Sequence, residues 1–79
     1  MLLNIGFGNI VSLDKIVAVI NSDSAPMRRH REEARQRGKL VDATQGRKTR
    51  SIIVTSTDHV VLSSVAVETI TQRLKESSR

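Results

Sequence analysis

The sequence predicts an α+β fold: a small, mostly antiparallel β-sheet with two short helices packed on it, in one domain over residues 1–79. Three observations predict it. β-branched runs of strand length recur at residues 16–20, 52–54 and 60–62. Residues 26–37 and 67–76 carry helix signals instead, and strands precede and follow the first of these helices. Turn residues punctuate the chain between these stretches. Seventy-nine residues support a single marginal core, and the absence of cysteine removes disulfides and thiolate metal sites as reinforcement. Oligomerisation is the expected substitute.

Residues 2–5 form a first strand, ended by the turn or bulge signal Gly6-Phe7-Gly8-Asn9. Gly6 and Gly8 are turn residues rather than a dinucleotide fingerprint, because Val11 stands where the third glycine belongs and no helical pattern follows. Ile10 and Val11 add a short strand. Residues 16–20, Ile-Val-Ala-Val-Ile, read as a central strand buried on both faces. After the polar cluster Asn21-Ser22-Asp23-Ser24, Ser24 is placed to cap a helix, and Pro26 suits its first turn, where a backbone donor is not needed. The helix runs to Arg37 and stops at Gly38, a residue type that adopts the left-handed conformation beyond a last turn. Its apolar side, Met27 and Ala34, is thin. Arg28, Arg31 and Arg35 share one face, and Arg28–Glu32 and Glu33–Arg37 have ion-pair spacing. Residues 40–44 read as a strand that turns through Gln45-Gly46-Arg47-Lys48 into a strand at 50–55, and Ser56-Thr57-Asp58 turns into a strand at 59–63. A hairpin-linked antiparallel meander is expected there. The closing helix places Val67, Ile70 and Leu74 on one side.

Charge placement narrows the function. Of 13 basic residues, nine lie between Arg28 and Arg50, accompanied only by Glu32, Glu33 and Asp42 among the acids. The formal net charge of the chain is +5, so the excess is central. Such asymmetry is the footprint of a polyanionic partner. It is sharpest at Gly46-Arg47-Lys48-Thr49-Arg50, read as a hairpin tip. Gly46 permits close backbone approach, Arg47, Lys48 and Arg50 suit phosphates, and Thr49 can donate to a phosphate oxygen. Arginine also matches a guanine edge. Arg28 and Arg29 extend the basic surface onto the helix.

Phe7 is the only aromatic residue and is assigned to the core or a subunit contact. Without further stacking platforms, duplex DNA is the preferred partner over single strands. Met27 and Ala34 are a poor anchor for a membrane surface. An RNA-binding accessory protein and a basic module for an acidic protein partner are the alternatives. Catalysis is not expected. There is no cysteine nucleophile, and neighbouring strand residues such as Asp58 and His59 point apart. His30 and His59 lack zinc-ligand spacing. A non-enzymatic protein without cofactor, metal or small-molecule substrate is expected. The first residues show no signal-peptide pattern, and no run reaches the ~18 apolar residues of a membrane span. The expected location is therefore cytoplasmic, associated with the nucleoid.

Several blocks, taken in order, resemble the RemA family of small bacterial regulators of extracellular-matrix genes. They are Asn4-Ile5-Gly6-Phe7-Gly8-Asn9, Ser22-x-Ser24-Ala25-Pro26, Asp42-Ala43-Thr44-x-Gly46-Arg47-x-Thr49-Arg50, Asp58-His59-Val60 and Glu68-Thr69-Ile70-x-Gln72-Arg73-Leu74. The resemblance covers nearly the whole chain. It implies a DNA-binding activator of biofilm matrix genes, with a subunit similar to LytTR-type DNA-binding domains. It also implies a closed homo-oligomeric ring of about seven or eight subunits with a basic rim. By that resemblance the family's turn arginines fall on Arg47 and Lys48, Lys15 occupies a basic position linked to DNA binding, and Pro26 a structural one. Lysine at 48 and 15 keeps charge but lacks the planar fork, so phosphate contact is expected there rather than base readout.

Overall fold

The computed structural model describes residues 1–23 and 25–77. In chain order the elements are β1 (Leu2–Gly6), β2 (Asn9–Ser12), a 3-10 turn (Leu13–Lys15), β3 (Ile16–Asn21), α1 (Ala25–Gln36), β4 (Leu40–Asp42), β5 (Ser51–Thr55), β6 (Val60–Ser63) and α2 (Val67–Ser77). The fold is α+β, with two helices and two sheets. The strands β1 and β2 form a separate hairpin, and the main sheet has the order β3-β5-β6-β4.

Alternation along the two central strands sets the layers. Ile52, Val60 and Leu62 form one buried cluster with Ala34, and Met27 and Leu40 pack on it. Ile53 and Val61 belong to the other, with Leu3, Ile5, Ala43 and Ile70. Strands apolar on both faces need cover on both. Helix α1 supplies it on one side, and α2 with the β1–β2 hairpin supplies it on the other. Side chains such as Ile53 and Ile70 are fully buried, each stabilising the fold by about 1.5–3 kcal/mol relative to exposure. Among the described residues no helix is long and apolar enough to cross a membrane.

The pairing of β4 corrects the expected meander. Residues 40–42 do not form a hairpin with β5; they lie parallel to β6, in the register Leu40↔Val60 to Asp42↔Leu62. The Val60 N–H donates to the Lys39 carbonyl and the Ala43 N–H to that of Leu62. Parallel neighbours need a long connection, and here it spans residues 43–59: loop 43–50 passes the end of β6 to reach β5, which then turns back into β6. Nearness in sequence suggested a hairpin, yet the apolar residues of β4 are satisfied by either neighbour.

β3 is likewise an edge strand, not a central one. It pairs only with β5, and its register shifts between Ile16 and Ala18, turning Val17 outward to 66% exposure. A bulge is a common way to end pairing at a sheet edge.

Helix α1 ends as its sequence predicts. Gly38 has φ 71°, its N–H donates to the Arg35 carbonyl, and the Lys39 N–H donates to that of Ala34, the paired bonds of a Schellman cap. The capping assignment of Ser24 lies outside the described residues. Pro26 sits in the first turn. The two expected i, i+4 ion pairs are replaced by Arg35–Glu32 at i, i+3, 2.7 Å apart.

Candidate nucleic-acid interface

The ends of the main sheet define two poles. At one lie the last residue of β3, the first of β5 and the ends of β4 and β6. The loop 43–50 and the start of α1 belong to this pole. At the other, the Ser56 N–H donates to the Lys15 carbonyl.

Loop 43–50 is rooted in the core and raised at its middle. Ala43 and Thr44 are buried, whereas residues 45–48 and Arg50 are exposed. The Asp42 carboxylate accepts bonds from the Thr44 N–H (2.9 Å) and hydroxyl (2.6 Å), fixing the way out of β4. The Arg47 N–H donates to the Thr44 carbonyl, closing a turn whose central residues, Gln45 and Gly46, both have positive φ. Further along, the Ser22 hydroxyl donates to the Thr49 carbonyl (2.9 Å) and the Arg50 N–H to the Ser63 carbonyl (2.8 Å). The loop is thus a braced crossover, which replaces the expected hairpin tip.

The structure therefore brings Arg47, Lys48, Thr49 and Arg50 to the same pole as Arg28 and Arg29 in the first turn of α1. Arg28, Arg29, Arg47, Lys48 and Arg50 are exposed, and no carboxylate of the described residues is within ion-pair distance of them. Lys48, Thr49 and Arg50 also line a cleft of about 180 Å³ together with Ser22, Asp23 and, at the start of α2, Glu68. Lys15 is not part of this group. It lies at the opposite pole, the length of β3 away, or roughly 20 Å at the usual rise per residue.

The β1–β2 hairpin reaches the same loop. Its two-residue turn has Phe7 at φ 54° and Gly8 at φ 76°. Asn4 Oδ1 accepts from the Gly6 N–H, and Asn9 Nδ2 donates to the Gly6 carbonyl. Gly6 itself has φ 106°, a conformation that favours glycine, and a Cβ there would make a tight contact, 3.1 Å from Val65 Cγ2. Phe7 is not a core residue: it is half exposed, and the Arg47 Cζ stands 5.8 Å from its ring centroid. Its glycine neighbours signal the turn in sequence, but nothing there signals this contact.

His59 Nδ1 shares a 2.7 Å hydrogen bond with the Thr57 hydroxyl, and Asp58 occupies a turn at φ 64°. His30, Glu33, Arg37 and Asp58 line a second cleft, of about 160 Å³, beside α1. Among the described residues no three or more His, Asp or Glu side chains are placed so that they could hold one metal ion.

The chain matches known proteins over most of its length. Residues 2–74 match the family model described as RemA-like, extracellular matrix regulatory protein A-like. A "Putative regulatory protein" of Thermodesulfovibrio yellowstonii is 65% identical over 79 residues, covering 100% of this chain and 93% of the relative. Similarly named proteins of Oleidesulfovibrio alaskensis and Pseudothermotoga lettingae are 65% and 53% identical, over 91% and 96% of this chain and 86% and 84% of their own lengths. With the match spanning nearly every residue of both helices and all six strands, the chain belongs to the RemA-like family.

Proposed function

We propose that this protein is a non-enzymatic transcriptional regulator that binds duplex DNA through the loop 44–50 pole, as a homo-oligomeric ring with that pole on its rim. The observation that carries the reading is the exposure of Arg47, Lys48 and Arg50 on one braced loop without a carboxylate partner. Three such cations suit phosphates, and the adjacent α1 arginines widen the positive surface. Activation of matrix genes is the biological role that family membership favours.

A ring is supported by size and surface. One subunit offers few phosphate contacts, which alone give affinities of about 10⁻⁴–10⁻⁶ M, and linked repeats raise avidity by about 10²–10⁴. The subunit also leaves both sheet edges open and exposes Leu2, Ile10, Val17 and Val41. Unlike patches on one subunit, meeting head to tail, close a ring when the rotation allows it. DNA following a curved rim costs about 1–6 kcal/mol to bend over 20–30 base pairs, so deformable sequences would be favoured without base contacts.

The test is a gel shift with the double variant Arg47→Ala, Lys48→Ala, alongside light scattering coupled to sizing. Loss of duplex retention at unchanged assembly mass is expected. Undiminished binding overturns the assigned surface, and tighter retention of structured RNA than of duplex DNA at equal salt overturns the ligand class.

A further inference from the structure

A turn whose two central residues both have positive φ favours Asn, Asp or Gly at the first of them, since a larger side chain is strained there. In the β1–β2 hairpin that position holds Phe7. The core gains little from it, because Leu3 and Ile5 already fill the space beneath the hairpin and the ring is 50% exposed. The turn does not need it either, since Asn4 and Asn9 supply the side-chain hydrogen bonds. What the ring does meet is Arg47, at a distance within cation–π range. A bulky residue held in a strained conformation without structural return points to a functional role.

We propose that Phe7 is a positioning residue for DNA binding: its ring holds the Arg47 guanidinium in place on the interface. The inference rests on the assignment of loop 44–50 to DNA contact. Ring and phosphate need not compete, because a guanidinium held over an aromatic face keeps N–H donors at its edge for an oxygen acceptor. A long side chain already restrained in the free protein loses less rotamer freedom on meeting DNA. The chain has no tyrosine, tryptophan or second phenylalanine, and the ring of Phe7 meets Arg47, so this support reaches Arg47 and not Lys48 or Arg50. Arg47 is then the preset cation of the loop, and Lys48 the adaptable one.

Phe7→Asn separates the two roles, because asparagine suits the turn and removes the ring. The expected result is a melting temperature equal to or above that of the parent, an unchanged assembly mass, and DNA affinity lower by about two- to five-fold for each subunit engaged. Phe7→Tyr, which keeps a ring, restores the affinity. In an Arg47→Ala background, Phe7→Asn has no further effect. Parental affinity for Phe7→Asn overturns the inference. So does an equal loss with and without Arg47, which assigns the ring to direct DNA contact, or a smaller assembly, which assigns it to a subunit boundary. Failure of the loop assignment looks different, for then Arg47→Ala alone binds as the parent does.

Discussion

The Asp42 carboxylate accepts two hydrogen bonds from a single residue, and both favour its ionised form. The Thr44 hydroxyl, then the Thr44 N–H, hold its pKa below the ordinary value, with Arg31 adding a pull in the same direction against a small effect of burial. A carboxyl depressed in the folded state contributes stability that is complete above its unfolded pKa and lost as pH falls through the folded one. Asp42→Asn is therefore expected to flatten the acid side of a melting-temperature profile below about pH 4, with a small loss near neutrality. Parallel profiles for parent and variant would show that the carboxylate has no such role. At this scale, charge was easier to read than contact. Arg47, Lys48 and Arg50 stand out in the sequence beside Gly46, because exposed cations need no partner to be recognised. Ser22 and Phe7 do not stand out, since their partners, Thr49 and Arg47, lie far along the chain.

Elements are joined by polar bonds as well as by apolar layers. Ser63, at the end of β6, is fully buried; its hydroxyl donates to the Ile5 carbonyl (2.7 Å) and accepts from the Val65 N–H (3.1 Å). Ile5 has no partner in the β1–β2 register, which shifts between Asn4 and Gly6, so Ser63 serves a carbonyl that the hairpin leaves over. Ser63→Ala is expected to destabilise the fold by about 1–3 kcal/mol, measured by urea denaturation, by leaving the buried Ile5 carbonyl and the part-buried Val65 N–H without this hydroxyl. A change below ~0.5 kcal/mol would show that relaxation or water replaces the hydroxyl. The strands themselves were legible from their β-branched runs, and both helices from spacing and from Gly38. Partner choice was not. Leu40 and Val41 fit beside β5 or β6 equally well by composition, and only the course of residues 43–50 decides between them. The apolar run of β3 suggested cover on both sides, but the bulge at Val17 and the reach of α1 depend on tertiary placement.

For the whole molecule, the separation of Lys15 from the basic loop sets how cations can be counted. DNA affinity falls with salt at a slope of about −0.9 for each phosphate neutralised on a duplex. Arg28, Arg29, Arg47, Lys48 and Arg50 of one subunit together account for a slope of about −4.5 at most. A steeper slope is expected on the proposed rim, where several subunits would engage one duplex; a value at or below that limit would confine contact to one. The fold class was visible from composition and pattern, since one small core allows few layer arrangements. The poles of the sheet were not, because they follow from strand order. That order has a consequence for heat and for amide exchange. β4 is three residues long and borders β6 alone, yet the loop proposed to grip DNA departs from its end. Fraying of this last strand would slacken the grip while β5 and β6 stay closed, so release precedes melting. A bound duplex, by the same linkage, acts as a clasp on the weakest margin of the protein.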